Sequence, residues 1–518
     1  MVSEFKTVSS GRSGNAEADE DHHFRTEHLT ADLKGRSVRG GAITITFQGI
    51  RFALTIGSTM ILARLLTPGD YGLIGMVTVV SGFVALFKDM GLSMATVQRA
   101  EITHAQISTL FWINAALGLL LGLVIALLAL PIAWFFDDPR LVAITSVLAL
   151  GIPVGGLAVQ HQALLRRQMR FVVLAAVDTV AMVAGIVAAI TLAVLAAVYW
   201  PEAKYWALVA MPLATVAVGT MGMWVACRWR PSGPRRGTGV RPLLSFGGYL
   251  TGVSLLGYTM RNLDKVLIGR VLGAFPLGLY NQAYRLLMLP QQQINVPLTA
   301  IAIPVLSRLV DSPDRFRNYY RQGVFLITAV NMPIVVFSFV AANELVLLVL
   351  GSQWTDVTVI FRALAPAGFI WTFQVADYWV YVSMGRTDRQ FRAWLVGTLF
   401  TSGAFFVGVY WGALGVAVAL SLVQTTVRIP MLIYCFRGTP IRLADFSAAI
   451  WRPALASIVA GTITMILSQT WLINQGLAAR LIIDGVVFAA SYVLIGLVLP
   501  GGRTVARQMR QHIATIRQ

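Results

Sequence analysis

Apolar runs of about twenty residues recur along the whole chain, separated by short polar stretches rich in Gly, Pro and Arg. Wound as an α-helix, a run of that length crosses the hydrocarbon core of a bilayer. The pattern predicts spans near 42–64, 71–90, 110–136, 141–164, 171–196, 205–227, 243–269, 277–306, 320–342, 357–383, 391–411, 413–436, 447–469 and 479–500, about fourteen in all. The expected fold class is an all-α polytopic membrane protein. Pro290, Pro297 and Pro304 fall in the eighth span, which is expected to kink or break there because proline offers no backbone N–H. Segment 33–41 reads as a short interfacial helix leading into the first span. Gly118 and Gly122 predict close helix packing inside a lobe. Asp137-Asp138-Pro139 reads as a simple turn.

Lys and Arg keep to alternate loops. Lys88 and Arg99 follow the second span; Arg166, Arg167 and Arg170 the fourth; Arg228, Arg230, Arg235, Arg236 and Arg241 the sixth; Arg308, Arg315, Arg317 and Arg321 the eighth; Arg386, Arg389 and Arg392 the tenth; Arg437 and Arg442 the twelfth. Arg503, Arg507, Arg510 and Arg517 lie in the C-terminal tail, while the odd loops carry single charges such as Arg64, Arg140, Lys204, Arg270 and Arg480. This bias predicts a multi-pass protein with both termini cytoplasmic.

The pattern also repeats. Arg64-Leu65-Leu66 with Gly72-Leu73 recurs as Arg270-Val271-Leu272 with Gly278-Leu279, each offset by 206 residues. It maps the first pair of spans onto the seventh and eighth, as in transporters built from internal repeats. The expected divisions are a disordered cytosolic tail at 1–32, an N-lobe of helices one to six at 33–227 and a basic cytosolic linker at 228–242. A C-lobe of helices seven to twelve follows at 243–436, then helices thirteen and fourteen at 437–500 and a basic cytosolic tail at 501–518.

Composition agrees: of 518 residues, 57% are hydrophobic and only 12% charged, too few charges for a soluble fold. The net charge of +18 is therefore read as topology-setting loop charge, with no nucleic-acid partner. Cys227 and Cys435 form no disulfide framework. Residues 1–31 are polar and acidic, with no signal-peptide core, and His22 and His23 read as solvated tail residues. No metal site and no cofactor is expected, and no Gly-x-x-x-x-Gly-Lys-[Ser/Thr] loop for ATP occurs.

Charges inside spans are costly, so each needs a reason. The first span carries Gln48, Arg51, Thr55, Ser58 and Thr59 along one helical face, and the seventh carries Tyr258, Arg261, Asp264 and Lys265. The repeat sets Arg261, Asp264 and Lys265 opposite Thr55, Ser58 and Thr59, as expected if both stripes line a shared cavity. The eighth span adds Asn281, Arg285 and Gln292. Counting from the outer ends, Arg261 and Arg285 lie roughly 12–14 Å deep and Arg51 about 20 Å deep.

Asp264 can neutralise Arg261 or Lys265 within one turn. Arg51 and Arg285 have no acid near them on their own helix and are expected to face a cavity. Arg428 is expected to snorkel towards the cytoplasmic end. Asp178 and Asp377 either couple protons or cations or pair with arginines on neighbouring helices. The excess of arginine points to an anionic, phosphate-like ligand.

Arg261-Asn262-Leu263-Asp264-Lys265-Val266-Leu267-Ile268-Gly269-Arg270, Leu277-Gly278-Leu279-Tyr280, Ala283-Tyr284, Leu289-Pro290 and Pro304-Val305-Leu306-Ser307-Arg308 carry a family resemblance, as do Leu33-Lys34-Gly35-Arg36-Ser37-Val38-Arg39-Gly40 and Ala63-Arg64-Leu65-Leu66-Thr67-Pro68-Gly69-Asp70-Tyr71-Gly72-Leu73. In these stretches the chain resembles the bacterial polysaccharide-transporter family, the Wzx-type flippases of the multidrug/oligosaccharidyl-lipid/polysaccharide exporter superfamily. The resemblance covers about residues 33–500 and leaves out the acidic tail.

It implies a V-shaped bundle of two lobes in the inner membrane. It also implies a non-enzymatic transporter that flips a polyprenyl-pyrophosphate-linked oligosaccharide to the outer leaflet for exopolysaccharide or O-antigen assembly, by alternating access. The partners implied are that glycan lipid, membrane lipid, and a polysaccharide polymerase with its export machinery. By the same analogy Arg51, Arg261 and Arg285 meet the pyrophosphate, with Lys265, Gln48, Tyr258 and Gln292 beside them, and helices thirteen and fourteen hold the lipid tail. Sugar recognition is expected from residues such as Tyr258, Tyr284, Trp371 and Tyr381. The alternatives are a multidrug or cation antiporter of the same fold, which wants a carboxylate-dominated cavity, and a membrane-embedded polymerase or glycosyltransferase, which wants a large outer loop.

Overall fold

The computed structural model describes residues 33–87, 102–234, 262–471 and 475–500, with Ser93, Thr96, Val97 and Tyr258. The acidic tail, linker residues 235–242, Arg261 and the basic C-terminal tail lie outside the described residues. Among those described, the regular structure is helical. Contacts group the chain into two compact units, Met1–Val266 and Leu267–Gln518.

The first unit begins with α1 (Leu33–Leu65) and α2 (Pro68–Ala85). α1 is one 33-residue helix. The expected interfacial segment at 33–41 is therefore not separate; no proline interrupts it, and Gly40-Gly41 weakens a helix without ending it. At the corner, Thr67 and Asp70 form a reciprocal capping box: Thr67 N–H donates to the Asp70 carboxylate at 2.8 Å, and Asp70 N–H donates back to the Thr67 hydroxyl at 3.4 Å. The repeated corner in the second unit uses other means. Helical residues 262–272 end at Gly273, whose φ of +86° suits glycine, and the next helix starts at Ala274.

The third expected span is divided into α3 (His104–Leu127) and α4 (Ala129–Phe136), and the fourth into α5 (Arg140–Ala149), α6 (Gly151–Gly156) and α7 (Val159–Arg167). Pro131 and Pro153 each remove a backbone donor beside these breaks. Gly118 and Gly122 let α3 close on α6: an added Cβ would meet Pro153 Cα at 3.2 Å or Pro153 Cδ at 3.0 Å, so the expectation of tight packing within a lobe holds. The Asp137-Asp138-Pro139 turn is also found. Asp137 is left-handed (φ 58°), and the Asp138 carboxylate accepts hydrogen bonds from Arg140 N, Nε and Nη2. Burial acts to raise the Asp138 pKa, but the Arg140 hydrogen bonds and charge outweigh it and hold the carboxyl below its ordinary value. α8 (Phe171–Tyr199) packs along α9 (Trp206–Cys227) and against α1.

The second unit contains α10 (Ala274–Arg308), α11 (Pro313–Val340), α12 (Ala342–Val349), α13 (Val357–Ser383), α14 (Thr387–Gly408), α15 (Gly412–Phe436), α16 (Leu443–Trp471) and α17 (Leu477–Val498). α10 is continuous over 35 residues through Pro290, Pro297 and Pro304, so the expected break does not occur. Its packing along α13 and α11 holds it helical past the missing donors. The core of this unit gathers Phe316, Tyr320, Phe373, Trp379, Tyr381, Leu432 and Phe436.

Among the described residues, nine stretches are long and apolar enough to cross a membrane; one of them, Thr387–Phe436, holds two helices. The protein is a multi-pass helical membrane protein, and the expected fourteen spans are compatible with it. Leu119, Leu123, Val180, Val187, Leu399 and Phe406 stand exposed along helix flanks, as side chains facing lipid do. Trp134, Tyr199, Trp200, Tyr410 and Trp411 are exposed at helix ends next to odd loops, where an aromatic belt meets the membrane interface. Both cysteines are buried and free.

Candidate functional site

The polar stripe of α1 divides in two. Its upper hydroxyls turn inward: Thr55 donates to Arg51 O at 2.7 Å, Ser58 to Thr55 O at 3.0 Å and Thr59 to Thr55 O at 2.7 Å, and Ser58 and Thr59 are buried. These hydroxyls bond the backbone of their own helix. Below them Gln48 is half-buried and Arg51 exposed. Arg51 Nη1 stands 3.7 Å from Oδ2 of Asp178 on α8, with side-chain exposures of 46% and 37%. Arg51 is 14 residues from the end of α1 at Leu65, roughly 21 Å along the axis.

The remaining sequence candidates are dispersed. Tyr258 donates its hydroxyl hydrogen to Thr78 O at 3.1 Å and leans on Phe83, and only a glycine at position 82 leaves room for it. Asp264 is buried, and its carboxylate accepts Lys265 N–H at 2.8 Å; the Lys265 ammonium donates to Asn262 Oδ1 at 3.0 Å. On α10, Arg285 is half-buried and Gln292 exposed. Tyr284 lies 5.5 Å, ring to ring, from Trp371 of α13.

Arg428, expected to snorkel, is instead buried at 3% exposure. Its Nη2 lies 3.1 Å from Asp377 Oδ1, and its guanidinium sits 5.8 Å from the Phe373 ring centre. The pair leaves Arg428 Nε, Tyr320 Oη and Tyr381 Oη buried without hydrogen-bond partners among the described residues. Asp377 on α13 reaches Arg428 on α15 because those helices pack together, a cross-helix match that spacing along one helix does not reveal.

Sequence reasoning missed three features. On α10, Gln291 is buried and donates to Gly368 O at 3.2 Å, Asn295 accepts from Asn331 at 2.9 Å and Thr299 accepts from Trp379 at 3.0 Å. This face lies one residue from the stripe through Asn281, Arg285 and Gln292; conversely, the buried Gln282 amide has no partner among the described residues. Near the α16–α17 hairpin, Arg480 Nε lies 3.2 Å from Glu344 Oε1 and 3.0 Å from the Ser468 hydroxyl, which donates to Asp484 at 3.1 Å. Finally, an apolar groove of about 420 Å³ runs between α11, α13 and α16, lined by Val336, Phe339, Pro366, Phe369, Ile458 and Met465. Helices thirteen and fourteen, here α16 and α17, were the expected tail-binding elements; of the two, α16 lines this groove and α17 does not.

The described residues hold no cluster of His, Cys, Asp or Glu suited to a metal. What the membrane region does hold is arginine paired with aspartate in two settings: Arg428 buried with Asp377, and Arg51 exposed beside Asp178.

The family model described as polysaccharide biosynthesis protein matches residues 61–359. The chain belongs to that family. The family resemblance seen in the motifs at 33–73 and 261–308 is thereby borne out. Among relatives of the polysaccharide biosynthesis family, the lipopolysaccharide biosynthesis protein WzxC of Escherichia coli (strain K12) is 25% identical over 430 residues, 82% of this chain and 86% of that protein. The succinoglycan biosynthesis transport protein ExoT of Rhizobium meliloti (strain 1021) is 24% identical over 422 residues, 81% of this chain and 84% of that one. The lipid II flippase MurJ, in its inward closed conformation, shares the fold with a TM-score of 0.68 at 12% identity, over 88% of this chain and 98% of that chain.

Proposed function

We propose that this protein is a flippase that carries a polyprenyl-pyrophosphate-linked oligosaccharide from the cytoplasmic to the outer leaflet of the inner membrane, supplying polysaccharide assembly outside. Both termini then face the cytoplasm, as the charged loops direct. The observation that carries this reading is the open guanidinium of Arg51, half-exposed at membrane depth with one loosely held carboxylate. An ion pair so open, inside a bilayer, must face water, because lipid chains would not solvate it. A wet guanidinium is suited to a phosphate: it stays charged and presents forked donors.

The other residues assigned to headgroup binding in this reading are Arg261, Arg285, Lys265, Gln48, Tyr258 and Gln292. The groove beside α16 takes part of the polyprenyl chain, since its walls are apolar. Access alternates between the two sides as the headgroup is bound and released. A doubly charged headgroup leaving a negative interior gains about 2.3 kcal/mol per charge for each 100 mV. The relatives of this family named for biosynthesis and transport of polysaccharide support a transporter in preference to an enzyme.

The test is export by cells whose own flippase gene is replaced by Arg51→Ala, Arg261→Ala or Arg285→Ala, with protein level checked by blot. Loss of surface polysaccharide at normal protein level is expected from each. Full export from all three overturns the assignment.

A further inference from the structure

The acid facing Arg51 is chemically odd for a phosphate site, because a carboxylate repels the ligand. We propose that Asp178 is a built-in stand-in for the lipid phosphate: it holds Arg51 in the empty transporter and gives it up when the pyrophosphate arrives. This inference rests on the assignment of Arg51 to the headgroup.

Three observations lead there. The contact is a single one at 3.7 Å, whereas a forked arginine–carboxylate pair closes to about 2.8 Å on two oxygens. Asp178 therefore restrains Arg51 without locking it. Both side chains are open, at 46% and 37%, so water and a ligand reach the pair without unpacking the helices. And Asp178 is the only acid on the four helices packed there, α1, α7, α8 and α9; the charges that act on it are Arg51, then Arg166 of α7. The neighbouring hydroxyl of Thr179 is turned to Ala175 O at 2.7 Å and gives the carboxylate no alternative donor.

A pair of this kind solves a problem peculiar to carriers. The site must return empty after release, and a bare guanidinium moving in the membrane field does electrical work while a neutral pair does none. With Asp178 in place Arg51 returns as half of a neutral pair. When the phosphate takes Arg51, Asp178 loses its 3.7 Å contact, so its carboxylate opposes binding by the strength of that open pair.

The test uses purified full-length protein in nanodiscs with farnesyl pyrophosphate as the probe, at about pH 7.5. Asp178→Asn is expected to bind about two- to fivefold tighter than wild type, the range set by an open ion pair. Asp178→Glu is expected to restore the wild-type affinity. In vesicles Asp178→Asn is expected to slow repeated turnover by severalfold while leaving a single flip intact. Asp178→Ser replaces Asp178→Asn if the latter does not fold. If Arg51→Ala loses binding but the Asp178 variants keep wild-type affinity and turnover, the stand-in is wrong and the headgroup site survives. If Arg51→Ala binds as wild type does, the headgroup assignment itself fails.

Discussion

Each unit joins an arginine to an aspartate across two helices, and the two pairs are built for different ends. In the second unit, Arg428 and Asp377 are 3% and 6% exposed, 3.1 Å apart, and walled by Phe373 and the surrounding core. In the first, Arg51 and Asp178 are 3.7 Å apart and largely open. A buried charge that loses its partner has no water to replace it, whereas an open one does. The Arg428 pair is therefore a structural rivet between α13 and α15, while the Arg51 pair can come apart, which is what the proposed headgroup role requires of it. The same two residue types thus stand in opposite settings, and burial makes the difference.

The sharpest way to break this contrast is to delete Arg428. Arg428→Ala leaves Asp377 without its partner in a closed core, and about 3–5 kcal/mol of stability is expected to go. The protein should fail to accumulate, or melt far earlier in detergent. Replacing both partners, Arg428→Met with Asp377→Leu, is expected to recover most of the loss, because the pair then leaves no stranded charge. If the double variant remains as unstable as the single one, Arg428 has a further task that the pair does not describe.

Arg480 tests whether burial grades the effect. Its partner Glu344 is 6% exposed but Arg480 itself is 25%, between the other two cases. Arg480→Ala is expected to cost about 1–3 kcal/mol, since Glu344 stays buried while Ser468 keeps its bond to Asp484. A melting temperature as low as that of Arg428→Ala would show that exposure is not what ranks these pairs.

Much of this was legible in the sequence, and the boundary has a physical cause. Spans follow from hydrophobic run length, and the close packing at Gly118 and Gly122 from a spacing of four residues. The polar face of α1 was visible at helical spacing, and so was the need for Asp178 and Asp377 to answer for themselves in a membrane. What spacing could not show is which helix lies across from which. Arg51 and Asp178 are 127 residues apart, and Arg428 and Asp377 are 51 apart. Depth alone made Arg428 a candidate for snorkelling, although the packing of α15 on α13 turns it inward. Hydroxyls are no clearer from spacing: Ser58 and Thr59 lie on the polar face in sequence, and in the helix they bond their own preceding turn.

Arg51 and a surface control supply the smallest expected changes in stability, and they separate recognition from architecture most directly. Arg51→Ala is expected to shift stability by about 1 kcal/mol or less, because both members of its pair meet water, yet to remove export. Arg392 and Asp388 form a looser pair still, 3.9 Å apart at 71% and 65% exposure on one helical turn. Arg392→Ala is expected to move stability by no more than about 0.5 kcal/mol and to leave export unchanged. Detergent melting curves and polysaccharide export, measured on both variants, decide the matter. Two small stability shifts with one loss of export place Arg51 in recognition; two small shifts with export intact in both leave it as one more exposed charge. A large shift for Arg51→Ala would mean that the open pair is a rivet after all, and the contrast with Arg428 would reduce to a difference in solvent exposure without consequence.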